Sequence, residues 1–362
     1  MPFRRVDLLE SRLDFVRRVL SEGCSVSAAC REFGICRTTG RKWLARYEHE
    51  QVCGLADRSR RPGSSPCQTP EPVVERILEL RAEHPAWGGR KLSVLLGEGA
   101  PCARTVDRIL KARGLAAPAP AARSVGRFER AGCNELWQMD FKGVPRGAPQ
   151  VLGCVDDASR FCILLSESAS QKLEDFWPLL WEAFGEFGLP EAVLTDNGAS
   201  FRNNASRRYS SFDVRLLLLG VKPLHGRPCH PQTQGKVERF FGTLEREKGL
   251  GREREFRSIY NNRRPHEAIG MKTPAQAYQR SSRRRPETMP SPLDFPDASH
   301  TRRTDERGCF SWNGERYKLG RALRETTIAV KDDRVYCGQA SIGELRDYKL
   351  HTMSCLNLHT MS

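Results

Sequence analysis

The 13 cysteines form no Cys-x-x-Cys pair, so neither a zinc ribbon nor a thioredoxin-type redox motif is encoded. Their number is odd and most stand alone, which suits free thiols in a reducing cytosol better than a disulfide framework. No apolar run reaches membrane-spanning length, and the charged first residues hold no apolar signal core. A cytoplasmic, nucleoid-associated protein with no membrane partner is expected. No Gly-x-x-x-x-Gly-Lys-Ser/Thr loop occurs, so no ATP site is expected. Acidic residues are in deficit: 44 Asp and Glu face 59 Lys and Arg, a net charge of +15. Residues 1–130 carry 24 Lys and Arg against 15 Asp and Glu, a net +9, so the basic excess is concentrated early in the chain. Such a field attracts polyanions and speeds encounter with them. Without a Lys-rich amphipathic anchor, nucleic acid is the partner it fits. A chain of 362 residues exceeds one compact core, and two to four domains are expected.

Apolar residues recur at helical spacing from Leu8 to Leu20, with Leu9, Leu13, Val16 and Leu20 as the predicted inner face. Ser25 to Ile35 reads as a short helix ended by Gly34, and Arg37 to Tyr47 as another, with Trp43, Leu44 and Tyr47 inward. Helix, glycine-containing turn, helix is the helix-turn-helix pattern, here over residues 1–53. In a major groove the second helix would offer Arg37, Thr38, Arg41 and Lys42. Residues 54–71 are basic and rich in Pro, Gly and Ser, a linker. A second helical unit, 72–115, comprises Val73–Ala82, Arg90–Leu96 and Thr105–Arg113. Its last piece resembles another recognition helix, with Arg104, Arg108 and Lys111 toward DNA. Residues 116–133 form an Ala/Pro-rich tether.

A central domain, 134–282, follows in the order three strands, helix Leu173–Phe187, strand, helix Phe212–Leu219, short strand, helix. After a linker, 283–300, comes a small domain, 301–350, in which residues 308–347 read as short strands with a hairpin signal at Asn313-Gly314. Leu-His-Thr-Met-Ser recurs at 350–354 and 358–362, and the tail 351–362 is expected to be disordered.

Three carboxylates occupy distinct settings in the central domain. Asp140 lies in Trp137-Gln-Met-Asp140 and Asp196 in Thr195-Asp-Asn-Gly198, each closing an apolar run that reads as a strand. Glu238 lies in the first turn of the helix that follows His230-Pro-Gln-Thr-Gln-Gly. Singly, each has an ordinary reading as a turn residue or a helix-dipole partner. Together, at the end of a sheet, they would repel unless a cation joined them. Hard oxygen ligands without His or Cys favour magnesium or manganese. Two such ions, about 3.5–4 Å apart, serve in-line displacement at phosphorus. Lys236 and Arg239 flank Glu238 and could hold phosphates. Asp156 and Asp157 read as the turn between strands Val151–Val155 and Phe161–Leu165, and His225, Cys229 and His230 as a loop rather than a metal site.

These segments, with Tyr260-Asn-Asn-Arg-Arg-Pro-His-Glu-Ala268, resemble the integrase-type (DDE) transposases of bacterial insertion sequences, in the retroviral integrase superfamily. The resemblance runs over nearly the whole chain. It implies a multidomain fold: all-α helix-turn-helix modules, an α/β ribonuclease H-like core with a mixed sheet, and a small C-terminal β-barrel. It maps Asp140, Asp196 and Glu238 onto the catalytic, metal-binding triad, holding two Mg2+ ions that Mn2+ can replace. Asp196 and Glu238 stand 42 positions apart, more than in retroviral relatives, and Arg202 to Ser211 reads as an extra surface loop. The implied activity is DNA cleavage and strand transfer at the element's ends by a homo-dimer or tetramer on double-stranded DNA. The rivals are a metal-dependent nuclease that never joins and an inactive, DNA-binding regulator.

Overall fold

The computed structural model describes residues 7–59, 67–116, 129–143, 149–198, 200–201, 209–226, 235–247, 251–346 and 349–352. The chain divides into two compact units, Met1–Gln68 and Thr69–Ser362.

The first unit is three helices, α1 (Leu8–Leu20), α2 (Val26–Glu32) and α3 (Arg37–Glu50), closed by a 3-10 turn at Gln51–Leu55. Side-chain caps from Asp7 and Ser25 start α1 and α2 by accepting otherwise orphaned backbone N–H groups. The core is Phe15, Val16, Ala29, Cys30, Trp43 and Leu55. Gly40 lets α3 press close, since a Cβ there would fall 2.5 Å from the Cys30 sulfur. Leu20, expected inward, is 53% exposed, and Phe15 fills the core instead.

In the second unit, α4 (Glu71–Glu83), α5 (Gly89–Leu96) and α6 (Ala103–Ala112) pack around Ile77, Leu80, Trp87, Leu92, Val106 and Leu110. The central sheet follows: β1 (Trp137–Lys142), β2 (Gln150–Asp156), β3 (Cys162–Ser168), α7 (Leu173–Phe187), β4 (Ala192–Thr195), α8 (Ser211–Leu218), β5 (Lys222–His225) and α9 (Gly235–Arg246). Strand order is β3-β2-β1-β4-β5; the first three are antiparallel, and β4 runs parallel to β1 and β5. This is the mixed sheet the resemblance implies.

Alternation along β1 and β2 decides which layer covers each face. Trp137, Met139, Leu152 and Cys154 face α7 through Phe176, Leu180 and Phe184. Val151 and Val155 face α9 through Val237, Phe240, Phe241 and Leu244, joined by Phe256 and Tyr260 of α10 (Glu253–Asn262). All four apolar residues of the α9 stripe are buried. A short helix, α11 (Pro274–Ala277), closes this layer with a capping box at Thr273.

The presumed linker from 283 is bound to the core at its start: Arg283 donates to the carbonyls of Pro190 (2.6 Å) and Gly220 (2.7 Å). The C-terminal module is an open five-stranded sheet, β12-β11-β10-β9-β6, plus the hairpin β7-β8. Its strands are β6 (His300–Arg303), β7 (Cys309–Trp312), β8 (Glu315–Lys318), β9 (Thr327–Lys331), β10 (Arg334–Cys337), β11 (Ala340–Arg346) and β12 (Lys349–Thr352). Among the described residues no ladder closes them into a barrel. Asn313 and Gly314, both at positive φ, make the β7-β8 turn as expected. β12 runs into the tail expected to be disordered, so the first repeat is strand through Thr352; residues 353–362 lie outside the described residues. Every described cysteine is a free thiol, and no described helix is long and apolar enough to cross a membrane.

Candidate active site

Neighbouring strands carry Asp140 and Asp196. β1 and β4 pair in parallel with Gln138 opposite Leu194; Asp140 lies two residues further along β1, and Asp196 two residues past Leu194, just beyond β4. Asp196 follows the last residue of β4, where its Oδ1 accepts the Gly198 N–H at 2.8 Å. Gly198 is needed there, because a Cβ would lie 2.8 Å from the same oxygen. Asp140 Oδ1 accepts the Phe141 N–H at 2.8 Å.

Glu238 is exposed in the first turn of α9. That helix can lie against the sheet because the residue opposite Asp140 is Gly153, where a Cβ would come within 2.7 Å of the Phe241 ring. Motif reading missed Gly153; a glycine inside an apolar strand was the available signal.

Asp140 lies within electrostatic reach of both other acids. The Asp140 carboxyl is pushed up to about 7, first by burial, then by the charge of Asp196, with a smaller push from Glu238; the Phe141 N–H opposes them. Such a group would be only partly ionised at neutral pH. Hard carboxylate oxygens short of positive charge are what a divalent ion fits. Among the described residues, no three His, Cys, Asp or Glu side chains form a ready-made metal cluster as they stand.

Behind Asp196 lies a buried network that the sequence reading took for loop. His225, at the end of β5, contacts Thr195 Oγ1 through Nδ1 (3.1 Å) and Asp213 Oδ1 through Nε2 (2.9 Å). Asp213 also completes the capping box of α8 with Ser210. Residues 229 and 230 lie outside the described residues. Asp156 and Asp157 do stand at the β2-β3 turn, but both are fully buried.

The expected DNA-contact residues divide. Arg37, Thr38, Arg41 and Lys42 on α3, and Arg104, Arg108 and Lys111 on α6, are exposed, as is Arg239. Lys236 is turned inward, its Nζ 2.5 Å from Asp157 Oδ1. Its burial and partner argue against a phosphate contact.

Two integrase core domain models match the chain, at residues 131–231 and 219–274. A helix-turn-helix domain model matches residues 11–63 and a homeodomain-like domain model residues 39–110. Transposase InsD of insertion element IS2A/D/F/H/I/K from Escherichia coli is 25% identical over 240 residues, 56% of this chain and 77% of that protein. Transposase InsD of IS2D, from strain K12, matches equally. Among solved structures, the magnesium-bound HTLV-2 integrase catalytic core domain is 19% identical, with a TM-score of 0.31 over 40% of this chain and 97% of that one. A chain of the simian T-cell lymphotropic virus intasome in complex with PP2A regulatory subunit B56 gamma is 16% identical, with a TM-score of 0.36 over 78% of this chain and 100% of that one. Scores this low leave the domain models and the sequence relatives as the basis of assignment. With helix-turn-helix modules ahead of an integrase core, the chain has the domain make-up of a bacterial insertion-sequence transposase with an integrase-type core.

Proposed function

We propose that the protein is a DNA transposase that cuts at the ends of a mobile DNA segment and transfers the freed 3′-hydroxyl to a target phosphodiester, with Asp140, Asp196 and Glu238 as its catalytic acids. The observation that carries this reading is the placement of buried Asp140 within reach of the charges of both other acids, in a chain of net charge +15. Asp140, Asp196 and Glu238 would hold Mg2+ or Mn2+, two ions being expected, which when bound activate the attacking oxygen and stabilise the leaving one.

The protein's remaining work is to bind and orient. One phosphodiester replaces another, so no nucleotide is consumed and positioning supplies most of the rate. The exposed basic faces of α3 and α6 would select the ends, with Arg37, Thr38, Arg41, Lys42, Arg104, Arg108 and Lys111 at phosphates and base edges. Arg239, beside Glu238, would hold backbone at the core. Two DNA ends must be handled together, which calls for a dimer or tetramer on DNA. The C-terminal sheet and hairpin, barrel-like in the expected arrangement, would serve assembly.

The test is a joining assay with the full chain, magnesium and pre-cut duplex ends. Transfer of the 3′-end into target DNA is expected. Cutting without joining would mark a nuclease, and end binding with neither reaction a regulator.

A further inference from the structure

Asp157 should by its position be a turn residue, yet its neighbour does that work. Asp156 accepts the Ser159 N–H (2.9 Å), the Ser159 hydroxyl (2.6 Å) and the Asn134 N–H (2.7 Å), and so closes the β2-β3 turn by itself. Asp157 is fully buried and looks the other way. Its Oδ1 meets Lys236 Nζ at 2.5 Å and accepts Gln138 Nε2 at 2.7 Å, while Oδ2 accepts the Arg130 N–H at 2.7 Å. The Gln138 side-chain oxygen, Oε1, is buried with no hydrogen-bond partner among the described residues, and it is the Nε2 end that meets Asp157.

Two of these partners sit next to the reacting acids. Gln138 precedes Asp140 by two residues on β1, hence on the same face of the sheet, the face that α9 covers. Lys236 precedes Glu238 by two residues in the first turn of α9. The rest of α9 is held by Val237, Phe240, Phe241 and Leu244. Apolar burial resists separation but is non-directional, and alone it leaves the helix's rotation and slide weakly fixed. The Lys236–Asp157 ion pair, with the hydrogen bonds that Gln138 and Arg130 donate to the same carboxylate, ties α9 to β1 at defined atoms. The pair Lys142–Glu245, at 2.7 Å, supplies a second such point two turns along α9.

We propose that Asp157 is a positioning residue, clamping β1 to α9 through Gln138 and Lys236 and so setting Glu238 against Asp140. The proposal rests on the reading of Asp140 and Glu238 as catalytic partners. It also replaces the phosphate-contact role expected for Lys236.

The test uses the full-length chain with Lys236→Met, Lys236→Arg, Asp157→Asn and the double variant Asp157→Asn/Lys236→Met. Joining of pre-cut ends is measured at saturating DNA, alongside end affinity and hydrogen exchange at the amides of residues 238–242. Lys236→Met is expected to lower the joining rate about 100-fold, the scale of a small misplacement of reacting groups, at unchanged end affinity. Exchange in the first turn of α9 should quicken, Lys236→Arg should recover most of the rate, and the double variant should be no worse than the poorer single one. Weaker end affinity with an unchanged saturated rate would make Lys236 a DNA contact and overturn the proposal. Unchanged rate and exchange would overturn it as well. Should Lys236→Met not fold, Asp157→Asn, which keeps an acceptor in place, carries the same comparison. If the wild-type chain itself does not join, the transposase reading falls, and the exchange data alone decide the clamp: faster exchange supports it and unchanged exchange overturns it.

Discussion

Glu247 is one of the residues at which the α4–α6 bundle is fastened to the core. Its Oε1 accepts the Trp87 indole N–H and the Arg264 Nε–H, each at 2.9 Å, and the Glu247 and Arg264 side chains are only 12% and 10% exposed. Glu247→Ala strips a nearly buried guanidinium of its counter-charge and orphans an indole N–H. Breaking a buried pair by removing one partner costs about 3–5 kcal/mol. Arg264 keeps its contact with His266 Nε2 at 3.2 Å and its place over the Tyr260 ring, so the low end applies. The orphaned indole adds roughly 1 kcal/mol. The expected loss is therefore about 4 kcal/mol, or a fall in Tm of roughly 8–16 °C at about 2–4 °C per kcal/mol. Glu247→Gln keeps an acceptor oxygen but no charge and should fall between. Denaturant and thermal unfolding of the two variants at pH 7 measure both differences. A Glu247→Ala protein within about 0.5 kcal/mol of wild type, the usual scatter of surface changes, would refute the reasoning.

Acid should weaken the same junction. The ordinary values of His84 and His266 are lowered by burial, that of His266 to about 2. His266 stays neutral when folded, so its contribution is complete above about pH 6.5 and is lost as pH falls below it, by up to ~1.4 kcal/mol per pH unit; the lowered value of His84 acts in the same direction. Denaturant midpoints between pH 7 and 5 should show this slope, and His266→Gln should flatten it. Gly153→Ala forces a Cβ toward the Phe241 ring; overpacking of about 1–3 kcal/mol should shift α9 and slow joining while end binding holds. Arg108→Ala should weaken end binding and, if Arg108 neutralises one phosphate, reduce the slope of log K against log salt by about 0.9. An unchanged salt slope would remove Arg108 from the phosphate contacts.

Periodicity made much of the fold legible. Leu173–Phe187 is a helix with the expected bounds, and Asn313-Gly314 turns between strands as read. What stayed hidden depends on partners far along the chain. Trp87 and Glu247 are 160 residues apart, and nothing local in either marks the bond. β6 lies ahead of the strands read from the sequence because all four of its residues are exposed and its pairing with β9 is what makes it a strand. The acids at 140, 196 and 238 stood out because each closes or opens an element within a recognisable motif. Asp157 and His225 did not, because burial and partners, rather than residue type, set them apart.

Strand joining by the Asp140→Asn protein tests the catalytic reading most directly. With magnesium and pre-cut ends, the variant is expected to bind ends as the wild type does and to form no joined product, with Asp196→Asn and Glu238→Gln behaving alike. Joining at the wild-type rate by Asp140→Asn would contradict the account and leave a basic, multi-module DNA binder whose chemistry lies elsewhere.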